Sequence, residues 1–160
     1  MKRIICARLL MVMMLTLIPM AGASAEQAPM EQIVYYNDGS YLIITLEEME
    51  NYSVSGTKAV QANSKSGNKT YTYYENTGVA VWAVTLSASF TYDGNSSSCT
   101  AANCSVNIYD SAWYVISKST SRSGNTATAN VTMGKKVLGV TTKTVPCTLT
   151  LSCDVNGNLS

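Results

Sequence analysis

"VAVWAVTLSASFTY", residues 79–92, alternates along nearly its whole length. Trp82, Val84, Leu86, Ala88, Phe90 and Tyr92 fall on one side of an extended chain, and Thr85, Ser87, Ser89 and Thr91 on the other. Successive side chains of a strand point to opposite faces, so this period of two predicts a strand with one face in a core and one face wet. Fourteen residues is long for one strand, and a bend or a switch between sheets is expected within it.

The same rhythm continues on both sides. Upstream, "KTYTYYE" (69–75) alternates Thr and Tyr and ends in a turn at Asn76-Thr77-Gly78. Downstream, Asp93-Gly94-Asn95 turns the chain, Val106 and Ile108 mark a short strand, and Trp113–Ser119 forms another. "SGN" at 123–125 leads into Thr126–Met133, where Ala127, Ala129, Val131 and Met133 share a face. Val137–Val145 follows, interrupted by Gly139, and Pro146 argues for an edge or a bulge. Cys147, Leu149, Leu151 and Cys153 share a face of the last strand, which closes at Asn156-Gly157. About seven short strands with Gly-bearing turns predict an all-β fold, an antiparallel sandwich or small barrel. No cysteine pair brackets Trp82 or Trp113 at the immunoglobulin spacing, so the sandwich is Ig-like only in the loose architectural sense. Ahead of it, "EQIVYYNDGSYLIITLEE" (31–48) reads as a β-hairpin turning at Asp38-Gly39.

Residues 1–25 read as a secretory signal peptide. Lys2, Arg3 and Arg8 form a basic n-region, Leu9–Met20 an apolar h-region, and Ala23 and Ala25 an A-x-A-like cleavage site. Arg8 and Pro19 interrupt what would otherwise be a membrane-spanning run. Cys6 precedes the h-region, so it is no lipid-attachment site and leaves with the signal. Cleavage after Ala25 starts the mature chain at Glu26 and places it outside the cell. The expected organisation is a signal (1–25), an acidic hairpin segment (26–50), a polar linker (51–68) and a β-sandwich domain (69–160).

Removing Lys2, Arg3 and Arg8 from eleven basic residues leaves eight against ten acidic ones, a net charge of −2. Six of the acids lie in residues 26–50, which carry no cation. Such a segment reads as a solvated acidic leader. The remaining positive charge is too dilute for a nucleic-acid surface. The chain has no histidine, so it lacks the usual general base and the commonest metal ligand. No cofactor is expected.

Four cysteines in an exported chain of this size predict two disulfides. Facing residues of an antiparallel ladder have a nearly constant sum of positions. The nested pairs Cys99–Cys153 and Cys104–Cys147 meet that condition to within one residue, which a bulge can absorb. The crossed pairing needs parallel strands. Pairing Cys147 with Cys153 spans roughly 20 Å of extended chain, beyond disulfide reach. Zinc is disfavoured by the C-x4-C and C-x5-C spacing and the lack of histidine.

Other candidate chemistry has a simpler reading. Ser55–Lys58 and Ser66–Lys69 fit S-x-x-K, but that motif needs a helix, and a Gly/Ser-rich linker offers none. Asp93, Asp110 and Asp154 sit in or near turns, where Asp commonly goes, and suggest no glycosidase pair. "NDGS" lacks the repeated acidic ligands of a calcium loop. Tyr71, Tyr73 and Tyr74 are candidate ligand-binding aromatics, since a flat aromatic row can stack sugar rings; core or cross-strand packing is the competing reading. The hairpin within Ser117–Thr132 resembles the amphipathic hairpins of some toxins, but its apolar face is mostly Ala, Ser and Val.

The segments "KTYTYY" (69–74), "FTYDGNSSSC" (90–99), "SGNTA" (123–127) and "TLTLSCDVNGNLS" (148–160), with "YYNDGSY" (35–41), resemble an uncharacterised group of small secreted β-rich proteins of Gram-positive bacteria. The resemblance implies secretion and β structure, and it brings no activity and no catalytic residues. Cys99 and Cys153 match cysteine positions of that group, whereas Cys104 and Cys147 look like an addition. The expectation is a secreted, non-enzymatic β-sandwich that binds a partner at the cell surface or in the medium, such as a cell-wall or surface glycan or another secreted protein. No stable membrane span is expected after cleavage. A secreted antimicrobial or membrane-active protein is the first alternative, and a small secreted hydrolase the second.

Overall fold

The computed structural model describes residues 30–49 and 63–160. The signal peptide, most of the linker and the Ser55–Lys58 pair lie outside the described residues. The described residues form eight strands: β1 (Met30–Tyr35), β2 (Tyr41–Met49), β3 (Asn63–Tyr74), β4 (Ala80–Tyr92), β5 (Ser97–Ile108), β6 (Trp113–Ser123), β7 (Thr126–Val137) and β8 (Val140–Ser152). They form two antiparallel sheets, β1-β2-β3-β4-β5 and β6-β7-β8. The fold is an all-β sandwich. Every sheet neighbour is also a sequence neighbour, so both sheets are meanders and no Greek-key crossing joins them.

β4 carries the core as its alternation predicts. Trp82, Val84, Leu86, Ala88 and Phe90 are buried, while Thr85, Ser87 and Ser89 are half-buried on the outer face. Its ladders shift register at Tyr73/Tyr74 and at Ser89/Phe90, which is how so long a strand takes its bend. Ala127, Ala129, Val131 and Met133 of β7, with Val145, Leu149 and Leu151 of β8, cover it from the other sheet. After β8 the chain folds back, Cys153 bridging Leu159 and Ser152 pairing with Ser160, and Leu159 joins the core.

The strands differ from their sequence reading in three places. β3 begins at Asn63, inside the stretch read as linker, because Asn63–Asn68 complete the ladder against Ser87–Tyr92. The N-terminal hairpin is continuous with the sandwich, since β2 pairs with β3 over nine residues. The runs on either side of Pro146 are one strand, and the break falls at the Leu138-Gly139 turn. Pro146 is tolerated because β8 is an edge, where a missing N–H removes no ladder bond.

The ladder behind the nested cysteine pairing does not form. β5 pairs with β4, and β8 pairs with β7 in the other sheet. All four described cysteines carry unbridged thiols. The relevant proximity runs between sheets instead. Cys99 N donates to Gly124 O (2.8 Å), and Cys153 N donates to Asn125 O (3.1 Å), so both backbones flank one turn. Burial, and then the nearby Cys104 thiol, push the Cys147 thiol up to about 11.

Candidate functional site

Among the described residues, the turns at the two ends of the sandwich differ in chemistry, with Met30 and Met49 also exposed at the first end. At one end lie the β4–β5 turn (Asp93–Ser96), the β6–β7 turn (Gly124-Asn125) and the Asp154–Asn158 turn. These are mostly polar. The Asp93 carboxylate takes the N–H groups of Asn95 and Ser96, and that of Asp154 takes those of Asn156 and Asn158. At the other end lie the β1–β2, β3–β4, β5–β6 and β7–β8 connections. Their tips present Tyr36, Val79, Tyr109, Val137, Leu138 and Val140, all exposed.

Beneath these tips an aromatic cluster anchors the loops. Tyr73 stacks on Trp82 (4.9 Å, 5° between planes), and Trp113 meets both edge-on (5.5 and 6.1 Å). The β5–β6 connection is pinned to β4, with the N–H groups of Tyr109 and Asp110 both donating to Val81 O. Above the cluster sits a cleft of roughly 360 Å³, whose lining includes Asp38, Ser40, Glu75, Lys135 and Lys143.

A polar chain runs along the cleft floor. Tyr73 Oη donates to Ser40 Oγ (2.7 Å), and Ser40 donates through its N and Oγ to Asp38 Oδ1 (3.1 and 2.5 Å). Lys143 Nζ donates to Asp38 Oδ2 (2.5 Å) and Tyr73 Oη (2.6 Å). Lys135 pairs with Glu75 (2.5 Å). The hydrogen bond from Lys143, then those from Ser40, hold Asp38 well below the usual carboxylate range. Burial works against the charge on Lys143, but its bonds to Asp38 and Tyr73 outweigh that and raise its pKa. A lysine held protonated takes no proton from Ser40, and Ser40 already donates to a carboxylate. The set is built to lock the Asp38 turn onto β3 and β8 and favours no nucleophilic serine.

The three candidate tyrosines separate. Tyr73 is in the core, Tyr71 faces inward toward Tyr36 and Cys147, and Tyr74 lies on the outer face. The aromatic row that does form is Tyr35–Tyr41–Tyr74, across three strands. Tyr41 and Tyr74 stack on each other at 4.7 Å, so their faces are spent on cross-strand pairing, which leaves the row a poor sugar platform. Ser66 and Lys69 occupy β3 three residues apart and so point to opposite faces. Ser66 Oγ bonds Ser89 Oγ on the outer face. Among the described residues no group of three or more Asp, Glu or Cys is placed to hold a metal. No helix there is long and apolar enough to cross a membrane.

No protein-family model, curated protein or solved structure matches the chain. The loop-end site was only partly foreseeable. Its turns carry Gly39, Gly78 and Gly139, but nothing local says that their tips share one end, because that follows from the meander.

Proposed function

We propose that the chain is an exported, non-enzymatic binding module and that the loop end is its contact surface. The observation that carries this reading is the contrast between the two ends: one has polar, self-satisfied turns, and the other displays apolar tips around a charged cleft. Rigid strands presenting variable tips are a common way to build a contact surface. The protonated state of Lys143 and the engagement of Ser40 support a non-catalytic role. Export rests on the basic, apolar and small-residue pattern of residues 1–25. We place the disulfides as Cys99–Cys153 and Cys104–Cys147, bridging the two sheets. The shared turn at Gly124-Asn125 supports the first pair, and the influence of Cys104 on Cys147 supports the second.

The test is binding of the labelled mature chain to whole bacterial cells and purified cell walls. A hydrolase panel is run on the same preparation. Saturable binding weakened by the paired substitution Asp38→Ala and Lys143→Ala is expected. Turnover in the panel that disappears in Ser40→Ala would replace this reading with an enzymatic one.

A further inference from the structure

The β7–β8 hairpin tip is unusual in backbone and side chain together. Leu138 and Gly139 both have positive φ (51° and 80°), which makes a two-residue type I′ turn. Asn or Asp before Gly is the ordinary choice there, because their short side chains tolerate the left-handed region. Leu138 is the one non-glycine residue in that region among those described, and it is 99% exposed. A leucine in a strained position with no intramolecular contact to offset the strain is unfavourable for the isolated fold.

Its neighbours give it a setting. Val137 and Val140 flank it, 49% and 65% exposed, and Val79 and Tyr109 crown the adjacent loops, each 59% exposed. These side chains crown separate loops, and Val137 also lines the edge of the cleft. Lys135, Lys136 and Lys143 stand two to five residues behind Leu138 or Gly139. Lys135 and Lys143 are balanced by Glu75 and Asp38, and the Asp110 carboxylate accepts from Ala112 N. Lys136 is exposed, lies 4.3 Å from the Tyr114 ring centre, and has no carboxylate partner among the described residues.

We propose that the loop end docks peripherally on a phospholipid bilayer containing anionic lipid, with Val137, Leu138 and Val140 as the inserted tip and Lys136 at the phosphate level. The dimensions fit. Two residues on each arm reach about 7 Å, within the roughly 5–10 Å between headgroup and acyl boundary where amphipathic elements lie. Tyr36 and Tyr109 are amphipathic rings suited to the interface. A fully exposed apolar tip with the unbalanced Lys136 behind it suits a fluid anionic surface. A second copy would instead find β1, which has no outer strand partner among the described residues, on the side of the sandwich. The inference rests on the loop end being the contact surface and names its partner.

The experiment uses the mature chain with vesicles of phosphatidylcholine alone and of phosphatidylcholine with phosphatidylglycerol, followed by flotation and by release of entrapped dye. The wild type should float with the mixed vesicles and leave the dye inside. Leu138→Asn should weaken partition about tenfold or more and raise Tm, so a folding defect cannot explain the loss. Lys136→Glu should weaken binding to the mixed vesicles severalfold and leave binding to neutral ones unchanged. Absence of flotation, equal binding by Leu138→Asn, or dye release would each overturn peripheral docking. So would a dimer that Leu138→Asn dissolves. Cell-wall binding measured alongside separates the two readings: wall binding without flotation overturns the bilayer alone, and loss of both overturns the contact surface as well.

Discussion

Leu138 is where a single side chain works most plainly against the fold. A left-handed backbone costs an L-residue with a Cβ about 1–2 kcal/mol, and asparagine much less. Leu138→Asn should therefore stabilise the chain by about 1 kcal/mol, a rise in Tm of a few degrees on thermal denaturation. An unchanged or lower Tm would mean that the turn is not strained. Phe90 is the opposite case, fully buried on the β4 core face. Phe90→Ala should cost roughly 3–5 kcal/mol in urea unfolding, and a loss below about 1 kcal/mol would contradict that burial. Asp38 sets a pH dependence. Its pKa is depressed in the folded chain, chiefly by Lys143, so its contribution is present above the unfolded value near about 4 and is lost as pH falls through the folded one. Tm should fall with acidification below that point, and less steeply in Lys143→Met. Asp93 and Asp154 are also held low, Asp93 chiefly by the backbone N–H of Asn95 and Asp154 chiefly by Asn158, so the variant should keep part of the slope.

β8 shows how far strand-level reading reaches. Cys147, Leu149, Leu151 and Cys153 share the inward face, as alternation requires, and Pro146 marks an edge. The same holds for β4 and for the inward face of β7. Sheet membership was not legible, because a sum of positions gives facing registers within one ladder and is blind to two sheets stacked face to face. The ladder behind the nested cysteine order therefore falls away, and the pairing stands as a proposal. Peptide mapping without reduction should return Cys99–Cys153 and Cys104–Cys147. The first closes a long loop and in the chain-entropy account is worth about 4 kcal/mol, so Cys153→Ser should destabilise more than Cys147→Ser. A Cys99–Cys104 peptide, or four free thiols in secreted material, would reject both bridges. Tyr71 and Tyr73 illustrate a second limit. Alternation puts them on the same face, but that the other sheet covers it depends on residues forty or more positions away, β8 over Tyr71 and Trp113 of β6 against Tyr73.

At the scale of the molecule, one sheet is wider than the other. β1 and β2 extend the five-stranded sheet at the β3 side, and every residue of β1 is exposed. The far edge is treated differently: β6 leans over β5, where Lys118 and Arg122 donate to the carbonyls of Cys104 and Thr100. Side chains thus blunt one edge, while β1 has no outer strand partner among the described residues. Export predicts that the intact mass of secreted protein begins at or within a few residues of Glu26. Full-length chain recovered with membranes would reject the signal reading. The meander order also has a bearing on when the protein can fold. The β4 core face takes cover from β7 and β8, and Leu159 fills the space beside Gly67 on β3, far upstream in the chain. Contacts so distant along the chain close slowly. A nascent chain that lacks β8 leaves the inner faces of β4 and β7 partly uncovered, so it should stay protease-sensitive until β8 has emerged. For a chain exported as proposed, closure that waits for β8 would keep the preceding strands threadable during translocation.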